Sequence, residues 1–254
     1  MFTMAGFFES SGATALTEVA ALADPHLRVS GDDIVVPGLG HLAGVYAKSN
    51  TVTDARVESP SLRRFMNFSV HPVREGAGDL NRNPDNYWVD LFARMVSLDP
   101  SESVNLKIAE STATDAVYGL IWFADAVDPV PEGELRTVRA SGTTTLTANA
   151  WSNVSLTFDE DLPAGRYAII GAAGQSAGMV GYRFLIPGAV WRPGGIGITD
   201  VSFSDVASFR YGRKGLWGEF EHDLPPTVDV LSISADTTEK IWMDLIQVRA
   251  GRGA

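Results

Sequence analysis

The sequence contains no cysteine. Disulfides, thiolate nucleophiles and cysteine-bound metal centres are therefore excluded, and either redox compartment is tolerated. Positive charge is scarce: 20 Lys and Arg stand against 31 Asp and Glu, a formal net charge of −11. A firm grip on nucleic-acid phosphates needs clustered basic side chains, so no direct nucleic-acid contact is expected. Between Met1 and Leu27 there is no Lys or Arg, only Glu9, Glu18 and Asp24. A basic genome-packing arm is thus absent from that stretch. No apolar run reaches the roughly 18 residues of a membrane-spanning helix. The opening Met1-Phe2-Thr3-Met4-Ala5-Gly6-Phe7-Phe8 lacks the positive flank of a secretion signal. A soluble chain, not exported by such a signal, is expected.

What is present is globular: 254 residues, 45% hydrophobic and 20% charged, enough for one large domain or two ordinary ones. The chain also repeats itself. Leu98-Asp99-Pro100 and the following Leu106, Ile108, Thr112, Leu120-Ile121 and Phe123 have counterparts at a constant shift of about 125 residues. The counterparts are Pro225, Leu231, Ile233, Thr237, Leu245-Ile246 and Val248. A second match, Ala43-Gly44-Val45-Tyr46-Ala47 with Ala164-Gly165-Arg166-Tyr167-Ala168, has a shift of about 121. An extended apolar run precedes each, Ile34-Val35-Val36 and Val154 to Phe158, and Arg64-Phe65 and Arg183-Phe184 follow. Two clusters in the same order imply duplication, with small loop insertions between them.

Local pattern reads as strand. Val154-Ser155-Leu156-Thr157-Phe158, Met66-Asn67-Phe68-Ser69-Val70, Tyr87-Trp88-Val89-Asp90-Leu91 and Val201-Ser202-Phe203-Ser204 alternate with period two. Val117 to Phe123 and Ile241 to Val248 are continuous, as in strands covered on both faces. Turn signals punctuate these runs, among them Pro37-Gly38, Asn83-Pro84-Asp85-Asn86, Pro163-Ala164-Gly165 and Pro193-Gly194-Gly195. Many short strands between turns point to sandwiches or barrels. The best helical pattern is Ala13 to Ala23, with Leu16, Val19, Ala20 and Ala23 on one face and Asp24-Pro25 to end it. Val127-Asp128-Pro129-Val130-Pro131-Glu132-Gly133 reads as a linker near the midpoint.

Chemistry is hard to find. His26, His41, His71 and His222 are far apart in sequence, with no metal-ligand spacing. Asp159-Glu160-Asp161 follows a strand and reads as a solvated turn rather than a calcium loop. The stretch from Gly171 to Gly178 fits neither phosphate-binding glycine pattern nor a nucleophile elbow, and reads as a loop between strands. Glu58, Asp90, Glu219 and Asp244 are acids in or near strands, but nothing selects two of them for hydrolysis. No catalytic, cofactor or metal residue is therefore nominated. Arg210-Tyr211-Gly212-Arg213-Lys214 is the notable basic cluster, fit for an exposed loop, a phosphate or a neighbouring subunit's acids. Six tryptophans occur, at 88, 122, 151, 191, 217 and 242. Those at 88, 122 and 242 fall in strand patterns, and Trp191 beside Arg192 is the best loop anchor, suited to a protein interface as well as to a sugar.

Taken whole, the chain resembles the double jelly-roll major capsid proteins of tailless icosahedral viruses with an internal membrane, a lineage that includes adenovirus, tectiviruses and corticoviruses. The resemblance lies in the duplication, the module length and the repeated closing strands Val117–Phe123 and Ile241–Val248. It implies an all-β fold of two tandem jelly rolls, at residues 29–128 and 129–254, after an N-terminal arm with a short helix at 1–28. It also implies trimeric capsomers of pseudo-hexagonal outline in an icosahedral virion, here of a bacteriophage, made in the host cytoplasm. Phe2, Phe7 and Phe8 on the arm, with Trp191, Arg192, Arg210 and Arg213, are the candidate interface residues. The arm would meet an internal membrane, a minor capsid protein or a neighbouring capsomer. No cofactor and no enzymatic activity are implied. The alternative from another class is a tandem β-sandwich that binds carbohydrate, as lectins do; a third is a sandwich-fold polysaccharide lyase or glycosidase.

Overall fold

The computed structural model describes residues 1–49, 51–63, 68–70, 88–113, 115–198 and 207–250. Arg64-Phe65, Met66, Asn67, His71, the turn at Asn83 to Asn86, Tyr87 and the run Val201 to Ser204 lie outside them. The chain divides into two compact units: Thr3–Asp125, and Ala126–Ala254 together with Met1–Phe2. The segment Val127 to Gly133 lies between the last strand of the first and the first strand of the second.

The N-terminal unit contains β1 Phe2–Glu9, β2 Thr17–Val19, β3 Val29–Ser30, β4 Asp33–Val35, β5 His41–Lys48 and β6 Val52–Glu58. A single helical turn, α1 Pro60–Arg63, follows, then β7 Phe68–Val70, β8 Trp88–Asp90, β9 Val96–Ser97, β10 Ser103–Glu110 and β11 Val117–Ala124. One sheet runs β1-β11-β5-β8, with β9 also on β5. The other runs β3-β4-β10-β6-β7, with β2 also on β10. The C-terminal unit contains β12 Leu135–Ser141, β13 Trp151–Val154, β14 Thr157–Phe158, β15 Gly165–Gln175, β16 Met179–Leu185, β17 Gly194–Ile198, β18 Gly218–Glu221, β19 Thr227–Ser232 and β20 Lys240–Ala250. Its strands are ordered β14-β12-β20-β15, with β18 also on β15, and β13-β19-β16-β17.

Counted by position in each unit, both orders are the same. The eighth strand lies between the first and third, with the sixth on the far side; the seventh lies between the second and fourth, with the fifth beyond. Here β2 to β4 together occupy the second position of the N-terminal unit, and β8 with β9 the sixth; in the C-terminal unit the two-residue β14 is an extra strand on the edge of β12, additional to the eight. Eight strands in this order form the two interlocked Greek keys of a jelly roll. In the C-terminal unit the two sheets are also joined at one edge. There β17 pairs antiparallel with β16 through Gly194 to Ile196 and parallel with β15 through Gly197 and Ile198.

The sequence repeats fall on equivalent strands. Leu106 and Leu231 sit on the seventh strands, Leu120-Ile121 and Leu245-Ile246 on the eighth, and Tyr46 and Tyr167 on the third. Within the third-strand match the register differs. Tyr46 pairs with Leu120, whereas Tyr167 pairs with Gln247, and it is Ile169 that pairs with Leu245. The slip is an even number of residues, so each side chain keeps its face of the sheet. Bulges between Arg166 and Tyr167 and between Ile169 and Gly171 accompany it.

Why these residues form strands is visible in their burial. Every residue of β11 is buried, and Trp122, Phe123 and Leu120 are wholly so. Leu106 and Ile108 of β10 face the same interior. Gly119 permits the close approach of the sheets, because a Cβ there would lie 2.0 Å from Leu106 Cδ2.

The N-terminal arm and helix are not found. Residues Phe2–Glu9 are a strand paired to β11, with Phe2, Met4 and Phe7 buried. The Ala13 to Ala23 pattern holds no helix; instead Thr17, Glu18 and Val19 pair with Ile108, Lys107 and Leu106. A distant strand with open hydrogen-bonding groups outcompetes a weak local helical preference. Of the stretch Gly171 to Gly178, Gly171 to Gln175 form the buried end of β15, and only Ser176 to Gly178 are the loop, leading into β16. Among the described residues, no helix is long and apolar enough to cross a membrane.

Candidate functional site

The acids singled out from the sequence do not converge. Glu58 accepts from Lys107 at 2.9 Å and from Arg63 at 3.3 Å, and the Lys107 hydrogen bond holds its carboxyl below the usual range. Asp90 accepts the Phe92 amide at 3.0 Å, and Glu219 pairs with Arg166 at 2.6 Å. Asp244 is committed to Arg210. Asp159 pairs with Arg139 across two strands of the C-terminal unit. His41 Nδ1 lies 3.3 Å from the Ala124 carbonyl, and His222 Nδ1 accepts the Gly165 amide at 3.4 Å. Among the described residues, no group of three His, Asp or Glu side chains could hold a metal ion.

Instead, two aspartates lie inside apolar strands of the C-terminal unit, and each is met by arginine. Asp229 of β19 stands directly opposite Arg183 of β16 and Asn153 of β13. Arg183 Nε donates to it at 3.2 Å, Asn153 Nδ2 at 3.1 Å, and Arg192 adds a third donor. The Arg183 guanidinium also lies over the Trp151 ring, 4.2 Å from its centroid. Asp244 of β20 receives Arg210 in a forked contact, Nε at 2.7 Å and a second nitrogen at 2.8 Å. Thr137 Oγ1 of the neighbouring β12 and the Tyr211 amide complete it, at 2.7 and 2.9 Å. A buried carboxylate is tolerable only with such a full set of donors.

Gly171 positions this second network. A Cβ on it would come within 2.7 to 2.9 Å of backbone atoms of Phe209, Arg210 and Tyr211. The loop that opens with the short 3-10 turn Ala207–Phe209 therefore lies flat on β15, and Arg210 reaches Asp244 from there.

These contacts redistribute the candidate interface residues. Arg192 and Arg210 are buried ion-pair partners, not surface cations, because an unpaired aspartate inside each sheet would be far more costly than an ordered arginine. Phe2 is buried edge-on against Trp217 at 5.3 Å, and Phe7 is wholly buried. Those four are occupied within the fold. Phe8 is half-buried against Tyr118 at 5.2 Å, Trp191 is half-buried, and Arg213 is exposed.

Trp191 lines an apolar groove of the C-terminal unit, about 410 Å³. Leu216, Trp217, Ala189 and Pro129 share its wall, with the Arg166–Glu219 pair at its edge. Val190, beside Trp191, is 67% exposed, the most open large aliphatic side chain among the described residues. The Met1 ammonium and Asp128 form a second charged pair on the groove's lining, and a mainly apolar groove bordered by two ion pairs is suited to another protein surface.

No family model matches this sequence, and no curated protein matches it. Among solved structures, the chain is similar to the major capsid protein P2 of bacteriophage PM2, at 11% identity and a TM-score of 0.26, over 100% of both chains. It is also similar to the major capsid protein of the virus STIV, at 10% identity and a TM-score of 0.28, over 98% of this chain and 97% of that one. By the order of its own strands, the chain is a double jelly roll.

Proposed function

We propose that this protein is a structural subunit of a viral shell, assembled as trimeric capsomers of an icosahedral, bacteriophage-type capsid. The observation that carries this reading is the repetition of one eight-strand order in both halves of a single chain. Two similar modules repeated three times approximate sixfold symmetry, the outline that tiles a shell. A closed ring of three satisfies head-to-tail contacts without open-ended growth. The acidic balance fits a shell that does not itself hold the genome. In this reading Phe8, Trp191 and Arg213 supply lateral contacts, while β1 is a strand of the fold and not an arm toward a membrane.

The test is the mass of the purified protein by light scattering. A stable species near three times 27.2 kDa is expected, with particles visible by electron microscopy at high concentration. Trp191→Ala and Arg213→Glu are expected to weaken association, Trp191→Ala by about tenfold or more if it is a buried anchor. A monomer that binds immobilised glycans would overturn the proposal in favour of a carbohydrate-binding protein.

A further inference from the structure

Each unit buries one glutamate where the connections after its first, third and seventh strands meet, at the end of the seventh strand in one unit and just before the eighth in the other. In the N-terminal unit this is Glu110, 1% exposed. The connection after β1 covers it, and a Cβ on Gly12 would meet Glu110 Oε2 at 1.8 Å. In the C-terminal unit it is Glu239, fully buried, and a Cβ on Gly142, just after β12, would meet its Oε2 at 3.0 Å. Neither carboxyl oxygen of either glutamate makes a hydrogen bond of ordinary geometry. A charged carboxylate left this way would be strongly disfavoured.

The caps are sewn down by backbone bonds around these acids. Gly12 donates to the Asp115 carbonyl, Glu110 to Ala13 and Ser111 to Thr51, at 2.8 to 2.9 Å. In the other unit Gly142 donates to the Glu239 carbonyl and Leu146 to that of Asp236, both at 2.9 Å, while the Ala177 amide reaches the Asp236 carboxylate at 2.7 Å.

We propose that both caps are held by a proton: each closes over a neutral carboxylic acid and loosens when that acid ionises. The surrounding charges favour this. Burial raises the Glu110 pKa, and the neighbouring Asp115 raises it further, against the Ser49 and Thr51 hydroxyls. Lys48, next to Ser49, is itself buried, and burial pushes its ammonium down to about 7. Burial pushes Glu239 up to about 7; its own amide opposes this and Asp236 adds to it. Burial alone would raise Asp236 too, but the Thr237 and Ala177 amides and the Ser176 and Thr238 hydroxyls outweigh it and keep it ionised beside Glu239.

The sign follows from linkage. An acid whose pKa is raised by folding stabilises the closed form fully below its ordinary value of 4.5, and that stabilisation is lost as pH rises to about 7. Above that, the closed cap must carry a buried charge. The inference concerns each unit separately and holds whether or not the chain assembles.

Amide hydrogen exchange on the full chain tests it. Exchange at Gly142, Leu146, Gly12 and Ser111 is measured relative to central-strand amides such as that of Tyr182, which cancels the common pH dependence of the chemistry. The ratio at the Glu239 cap is expected to rise by up to about tenfold per pH unit between roughly pH 5 and 7. Glu239→Gln, neutral and isosteric, is expected to make the C-terminal ratio independent of pH while the N-terminal cap still responds; Glu110→Gln does the reverse. A flat ratio in the unaltered protein overturns the proposal without need of a variant. So does a steep ratio that persists at its own cap in both variants.

Discussion

Asp229→Ala is expected to cost the C-terminal unit about 3–5 kcal/mol, because it removes the buried carboxylate that two buried guanidiniums share. Arg183 is wholly buried and Arg192 is 7% exposed, so neither can turn to water without opening the sheet. The cross-strand pairing of Asp229 with Arg183 places this loss in the middle of β16 and β19. Urea unfolding should register it as a lower midpoint, and hydrogen exchange should show lost protection at the amides of both strands. Asp229→Asn keeps the acceptor but not the charge and should fall between. Replacing Asp229, Arg183 and Arg192 together by apolar residues of similar volume should restore much of the loss, since a buried ion network is worth little against well-packed apolar groups. A single alanine change that costs less than about 1 kcal/mol would mean that the arginines are solvated in solution.

Gly171→Val is expected to be nearly as damaging, on the order of 3 kcal/mol, although it removes no contact. Its new methyl groups would press on backbone, not on a flexible side-chain tip, so the loop at Phe209 to Tyr211 must lift. Lifting it withdraws Arg210 from Asp244, which is wholly buried. The two effects are one event, so a double-mutant cycle with Arg210→Ala should be strongly non-additive. If the losses simply add, Gly171 and Arg210 are not coupled through the loop.

The strand pattern and the duplication were legible because they rest on local alternation and on repeated apolar positions such as Leu106 and Leu231. The strand order was not, since pairing β1 with β11 joins residues more than a hundred positions apart. Phe2 to Phe8 misled for a related reason. The segment is apolar at nearly every position, so it carries no period of two, and a strand of that kind cannot be told from an arm by pattern alone. The arginines of the candidate interface misled differently. Arg210 stands in a Tyr-Gly-Arg-Lys context that reads as surface, and its partner lies 34 residues away. A signal did exist: Val228-Asp229-Val230 and Met243-Asp244-Leu245 each set one charge inside an apolar strand, which obliges the fold to supply a cation. A lone acid of this kind calls for an arginine, not for a second acid. Trp191 reads as a loop residue because Pro- and Gly-rich sequence brackets it, and it lies outside any strand; its role as an anchor is part of the proposed assembly.

The placement of the last strand between the first and the third has a consequence for synthesis. Neither jelly roll can close its first sheet until its final strand has left the ribosome, β11 in one case and β20 in the other. β1, the first strand of the N-terminal roll, must wait through the synthesis of the rest of that unit with its hydrogen-bonding edge unsatisfied. Such an interval exposes a nascent chain to mispairing and to chaperones. All the strands of the N-terminal roll exist before β12 does, so the repeat turns one long wait into two shorter ones; only the Phe2 ring at the start of β1 waits further, for Trp217.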